Sequence, residues 1–172
     1  DWVTALLEAP LKAAFPNVRV ENDGVGALEA ERRWGALQGL DHCAYVTWST
    51  GIGMGLCVDG HILRGKNGNA GHAGHTFVIS NDDALCGCGL VGDVEGLVAG
   101  NAIPRRFGHA GFSDAAALFV AARAGDARAT AIVDGLCEVM GRTLFNMVAT
   151  LDLQRISCLL YTSPSPRDLS TS

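Results

Sequence analysis

Apolar residues recur at helical spacing across residues 2–15, WVTALLEAPLKAAF, and the run stops at Pro16, which predicts a helix. Val18 and Val20 then alternate with polar neighbours, predicting a short strand over residues 17–23. GVGALEAERRWGAL, residues 24–37, predicts a second helix, with small residues at its start and Glu29, Glu31, Arg32 and Arg33 turned to solvent. HCAYVTWST, residues 42–50, predicts a strand that breaks at GIGMG and resumes as LCV. Asp59-Gly60 is a tight-turn pair, and HILR returns as its hairpin partner. Residues 65–75 predict a loop, TFVIS (76–80) a strand, and residues 81–93 a second loop.

Beyond Glu95 the pattern turns helical. Residues 113–125 predict a short helix with Ser113 as cap and Gly125 as stop, and residues 126–152 a long one. Ile132, Leu136, Val139, Thr143, Met147 and Leu151 fall on one face of the long helix, and Gly135 and Gly141 would permit close helix contact. LQRIS, residues 153–157, starts another strand. Helix, strand, helix, glycine-rich hairpin and then helices describe an α/β protein.

Composition narrows this picture. A chain of 172 residues with 48% apolar and 18% charged residues can bury a sizeable core. The net charge of −5 and the lack of a basic stripe exclude phosphate-backbone binding, so no nucleic-acid contact is expected from this segment. No apolar run reaches membrane-spanning length, and no signal peptide is visible. Cys43, Cys57 and Cys137 lie in apolar runs and are expected to be reduced core thiols. A cytoplasmic protein follows. The chain starts at Asp1-Trp2, and YTSPSPRD in its last residues is similar to a translated sequencing adapter. The expected division is an incomplete domain over residues 1–157 and a non-native, poorly packed tail over 158–172.

Three constellations carry chemistry. Asn22-Asp23 sits at the end of the first predicted strand, where a carboxylate beside an amide could take a hydroxyl proton; Asn-Asp-Gly is also an ordinary turn. STGIGMG, residues 49–55, offers alternating glycines, exposed amides and the Thr50 hydroxyl to phosphate oxygens, or is a glycine bulge in a sheet. It is neither a Walker loop nor a dinucleotide fingerprint. His75, Cys86, Cys88 and Asp93 are four potential ligands of a closed tetrahedral zinc site; the alternative is a glycine-rich loop with two free thiols. Glu95 is either a helix-start carboxylate or an acceptor for a ligand hydroxyl. His72 is either an exposed loop histidine or a ligand contact, while His42, His61 and His109 are expected to be surface or packed imidazoles.

In this order the three constellations resemble the ROK family of sugar kinases and transcriptional repressors. NAGHAGH, ten residues and CGCGLVGDVE are similar to its Gly-His and Cys-x-Cys-Gly-x-x-Gly-Cys-x-Glu pattern. VENDGVGALEAE is similar to its Asn-Asp segment, and STGIGMGLCVDGHILRGKNGNAG to its second phosphate motif, hairpin and sugar loop.

The resemblance implies part of an actin-like (ribonuclease-H-like) ATPase fold, mainly its sugar- and zinc-binding portion. It implies Asp23 as general base and Asn22, His72, His75 and Glu95 as sugar contacts. Thr50, Gly51 and Gly53 would meet ATP phosphates. His75, Cys86, Cys88 and Asp93 would hold a structural Zn2+, and Mg2+ would accompany ATP. The implied parent is an ATP-dependent hexose kinase of glucokinase or N-acetylhexosamine kinase type, a homo-oligomer. The alternative parent is a sugar-sensing repressor of the same family. The sequence departs from the pattern at His72 (usually Glu), Asp93 (usually Cys), Ser49 and Met54 (usually Gly). It also lacks the family's Asp-x-Gly-Gly-Thr loop and its adenosine-cradling glycine motif, so this segment is expected to be inactive alone.

Overall fold

The computed structural model describes residues 7–79 and 82–160. A four-stranded mixed sheet in the order β3-β2-β1-β4 organises the chain. Strands β1 (Cys43–Trp48) and β2 (Ile52–Val58) pair antiparallel, with Cys43 opposite Cys57 and Trp48 opposite Ile52. Asp59 and Gly60 both have positive φ, 51° and 74°, the geometry of a two-residue hairpin turn. This returns the chain into β3 (His61–Ile62). Strand β4 (Arg155–Leu160) lies parallel to β1, with Cys43 opposite Arg155.

The helices are α1 (Glu8–Ala14), which buries no residue, α2 (Asp23–Trp34), which packs on β1 and β2, and α3 (Val94–Val98), α4 (Ile103–Phe107), α5 (Ala115–Arg123) and α6 (Ala127–Leu151). Alternate β1 side chains serve two cores. Cys43 and Tyr45 pack with Leu28 of α2, whereas Val46 packs with Leu97, Leu136, Val139 and Met140 from the α3–α6 side. Burial on both faces explains why β1 reads as a continuous apolar run rather than a clean alternation. Each fully buried leucine, such as Leu28 or Leu97, contributes roughly 1.5–3 kcal/mol of transfer free energy. Helix α6 starts at Asp126, whose carboxylate accepts from the Arg128 and Ala129 amides at 2.8 and 3.0 Å. It ends at Asp152, which takes the left-handed conformation (φ 50°) that aspartate tolerates better than most residues. Among the described residues, no helix is long and apolar enough to cross a membrane.

Several expectations are corrected. Residues 17–22 form no strand: two β-branched residues do not make a ladder without a partner edge. The same holds for 76–79, and Ser80 lies outside the described residues. The strand breaks at Ser49–Gly51 rather than through Gly55; Gly53 and Gly55 lie inside β2. Arg32 does not face solvent freely but donates to the Gly60 carbonyl at 3.3 Å. Asp114, not Ser113, caps α5, accepting from the Ala117 amide at 2.8 Å. Gly135 and Gly141 have open space where a Cβ would stand, so neither marks a close helix contact. Cys43 and Cys57 are buried free thiols, but Cys137 is exposed on the outer face of α6. Strand β4 continues through Leu160, past the expected boundary at Cys158; the first six residues and 161–172 lie outside the described residues.

Candidate functional site

The loop that carries Cys86 and Cys88 is built by local hydrogen bonds. Leu85 and Val91 form an antiparallel bridge, and the Cys86 and Gly92 amides donate to Leu90 and Ala84, each at 2.8 Å. Gly89 and Gly92 adopt φ of 94° and 80°, values that an L side chain would strain. The resulting knuckle presents Cys86, buried, and Cys88, exposed. Asp93 follows as the N-cap of α3 and is fully buried; its Oδ1 accepts from the Gly96 amide at 2.7 Å. Its Oδ2 lies 2.8 Å from Nδ1 of His75, the last residue of a one-turn 3-10 segment, Ala73–His75.

One ligand atom from each of His75, Cys86, Cys88 and Asp93 lies within 4.8 Å of all the others. His75 Nδ1 is 3.9 Å from Cys86 Sγ and 3.6 Å from Cys88 Sγ, and Cys88 Sγ is 3.8 Å from Asp93 Oδ2. A tetrahedral zinc ion with bonds of about 2.0–2.3 Å separates its ligand atoms by roughly 3.3–3.8 Å. The sulfur distances lie inside that range or about 0.1 Å beyond it. The shorter His75–Asp93 contact is a hydrogen bond that would open slightly around an ion. Burial pushes the Cys86 thiol up to about 12, so it keeps its proton until a cation replaces it. The donor set therefore fits a divalent cation with soft and borderline character.

The second half of the site lies on α2 and the β1–β2 turn. Asn22 caps α2, its Oδ1 accepting from the Gly24 amide at 2.9 Å, and Asp23 Oδ1 accepts from the same amide at 2.9 Å. The turn is fastened from behind: the Gly100 and Asn101 amides donate to the Ser49 and Thr50 carbonyls at 2.7 and 3.2 Å. Three backbones meet between these parts. A Cβ on Gly55 would stand 2.4 Å from the Gly24 carbonyl oxygen, and one on Gly71 would stand 2.4 Å from that of Met54. Neither glycine tolerates a side chain, and the close approach brings the start of α2, strand β2 and the His72 loop together.

A cavity of about 640 Å³ opens between them. Asn22, Asp23, His72, His75 and Glu95 all line it. Thr50, Gly51 and Gly53 line it as well, so the separate constellations share one cleft. Cys86, Cys88 and Asp93 stand behind His75. Glu95 is already engaged by protein: its Oε2 accepts from the Ile52 amide at 2.9 Å, and its Oε1 lies 3.6 Å from Cys86 Sγ. Ser49, the first residue of STGIGMG, and Gly71, within NAGHAGH, also line the cavity, as does Thr47. Thr47 carries no motif of its own, being one polar position in the HCAYVTWST strand run. Of the remaining histidines, His61 holds the Asp59 carbonyl at 2.7 Å, His42 sits 3.5 Å from the Asp59 carboxylate, and His109 is exposed.

Residues 2–158 match the sequence profile of the ROK family. The chain belongs to the ROK family. An N-acetylmannosamine kinase of Haemophilus influenzae strain 86-028NP is 32% identical over 158 residues, which are 88% of this chain and 52% of that protein. The ROK hexokinase of Thermus thermophilus superposes with a TM-score of 0.82 at 35% identity, over 89% of this chain and 54% of that one. A ROK family glucokinase from Streptomyces griseus, solved with glucose and AMPPNP, gives 0.74 at 28%, over 90% and 55%. A ROK family transcriptional regulator, a homologue of the E. coli MLC protein, gives 0.77 at 24% over 88% and 41%, a likeness of fold alone. The ROK relatives place the architecture in the actin-like ATPase fold, and the chain spans about half the length of the relatives it matches.

Proposed function

We propose that this chain is the sugar- and metal-binding part of an ATP-dependent kinase for a hexose or an N-acetylhexosamine. The observation that carries the reading is the convergence of Asn22, Asp23, the β1–β2 turn, His72, His75 and Glu95 on one cavity. Asn22 uses Oδ1 to cap α2, which leaves its amide NH2 to hold a sugar hydroxyl. Asp23 uses Oδ1 on the Gly24 amide, so Oδ2 receives the proton of the attacking hydroxyl. The Thr50 hydroxyl and the side-chain-free backbone at Gly51 and Gly53 would lie against the phosphates of ATP, and the Mg2+ that accompanies ATP would spread the charge of the transferring group. Little covalent work falls to the protein in such a reaction; positioning and charge stabilisation dominate.

His75, Cys86, Cys88 and Asp93 would hold zinc, which supplies a rigid cross-link and no chemistry on the sugar. The six free thiols suit a reducing, cytoplasmic setting. The regulator's TM-score of 0.77, between those of the two kinases, leaves a sugar-sensing repressor parent as the second reading. The carboxylate of Asp23 beside a phosphate-type turn favours the kinase, because a sensor needs neither.

Calorimetric titration of the zinc-loaded chain with glucose, N-acetylglucosamine and N-acetylmannosamine tests this. Saturable binding of at least one sugar is expected, weakened by about tenfold in Asn22→Ala with the loss of one buried hydrogen bond. No binding by any of them, in a chain that takes up zinc, refutes the assignment.

A further inference from the structure

Helix α3 is fastened to the β1–β2 turn at both ends, and its cap is a metal-ligand candidate. At its start, Asp93 caps the helix through Oδ1 and turns Oδ2 to His75. Two residues on, Glu95 Oε2 accepts from the Ile52 amide at 2.9 Å, while Oε1 lies 3.6 Å from Cys86 Sγ. Gly51 accommodates this carboxylate: a Cβ there would stand 2.9 Å from Glu95 Oε2. At the far end, the Trp48 indole NH donates to the Val98 carbonyl at 2.8 Å. The Gly100 and Asn101 amides donate to the Ser49 and Thr50 carbonyls at 2.7 and 3.2 Å. Every residue from Trp48 to Ile52 except Gly51 thus has a hydrogen bond to the 95–101 segment, and Gly51 packs against Glu95 itself.

We propose that metal occupancy sets the conformation of the β1–β2 turn through α3, with Glu95 as the positioning residue. The inference rests on the reading of His75, Cys86, Cys88 and Asp93 as a metal centre. It adds that the centre acts on the phosphate side of the cleft as well as on the His75 side. A cation pulls Cys86, Cys88 and Asp93 onto one point and so fixes the start of α3. A five-residue helix has little rigidity of its own, since isolated short helices are unstable. Its orientation is therefore decided by what holds its ends. With the start fixed, the Glu95 carboxylate is held over the Ile52 amide and the 98–101 segment under Ser49 and Thr50. Without the cation, the four ligands are joined only by hydrogen bonds and sulfur contacts, and both latches open more often.

Amide exchange by NMR on the 15N-labelled 172-residue chain tests this, with zinc and with zinc removed by a chelator. Zinc is expected to slow exchange of the Ile52, Gly100 and Asn101 amides and the Trp48 indole by about tenfold beyond any change at Val46, a reference in β1. In Glu95→Ala, one zinc should still bind but the zinc-dependent slowing at Ile52 should vanish. Glu95→Gln keeps an oxygen acceptor and should restore it, which separates positioning from a general loss of fold. Zinc-dependent slowing confined to residues 84–93, or slowing at Ile52 that survives Glu95→Ala, overturns the coupling while leaving the metal centre intact. Absence of zinc binding in the parent chain overturns both.

Discussion

Replacing Gly55 by alanine should damage the cleft without touching a functional side chain. The new Cβ would stand 2.4 Å from the Gly24 carbonyl oxygen and 2.7 Å from the Leu28 Cβ. Its nearest obstacles are backbone and a fully buried side chain, so no flexible side-chain tip can swing away. Helix α2 must retreat by roughly 0.6 Å to reach even the closest tolerable Cβ contact of 3.0 Å. Overpacking of this kind costs about 1–3 kcal/mol, and a backbone obstacle places it near the upper end, about 3 kcal/mol. For a chain of this length that lowers the melting temperature by about 6–12 °C. The retreat carries Asn22 and Asp23 with it, so sugar affinity should fall by about tenfold as their hydrogen bonds lengthen. Gly135→Ala is the control: open space surrounds that position on α6, and removing a helical glycine should stabilise by up to ~1 kcal/mol. Thermal melts followed by circular dichroism read both. If Gly55→Ala melts within about 2 °C of the parent, the close approach of α2 to β2 is not what holds the cleft together.

Three further outcomes follow from individual contacts. Leu118→Ala, at a fully buried position, should cost about 2–5 kcal/mol, measured by urea denaturation. Asp93→Cys should bind zinc more tightly in chelator competition, because a third thiolate replaces a carboxylate, while the metal-free protein loses about 1 kcal/mol with the α3 cap; equal zinc affinity would show that the carboxylate is as good a ligand. The Ala129 amide, then the Arg128 amide and charge, holds the Asp126 carboxyl below its ordinary 3.8. Its support of α6 is therefore fully present above that value and lost as pH falls through the lowered one. The stability gap between the parent and Asp126→Asn should close in acid, and a gap independent of pH would contradict the cap's ionic character.

Legibility in the sequence tracked how local each cause was. The two long helices, the Asp59-Gly60 turn and the apolar face of α6 from Ile132 to Leu151 follow from periodicity and turn chemistry carried within the segments themselves. Residues 17–22 and 76–79 alternate or concentrate β-formers in the same way, yet no partner edge meets them, and strand pairing is a property of two segments. The glycines of β2 misled for a related reason. Gly53 and Gly55 sit within an unbroken ladder, and Gly55 is required by α2 crossing over it, a tertiary fact.

The candidate site was legible as three separate constellations because each is a short motif of chemically distinctive residues. That they share one cavity depends on the three backbones that meet at Gly24, Gly55 and Gly71. The engagement of Glu95 with Ile52 was invisible, since residues 43 apart in sequence carry no mutual pattern.

The proposed function requires that the cavity bind a sugar between Asn22-Asp23 and the β1–β2 turn. Titration of the zinc-loaded, 15N-labelled chain with N-acetylmannosamine and with glucose, followed by amide chemical shifts, measures it directly. Saturable shifts are expected at Asn22, Gly51, Gly53, Gly71 and Glu95 with at least one of these sugars. Saturable shifts confined to another surface, or none from either sugar in a folded, zinc-loaded chain, would contradict it.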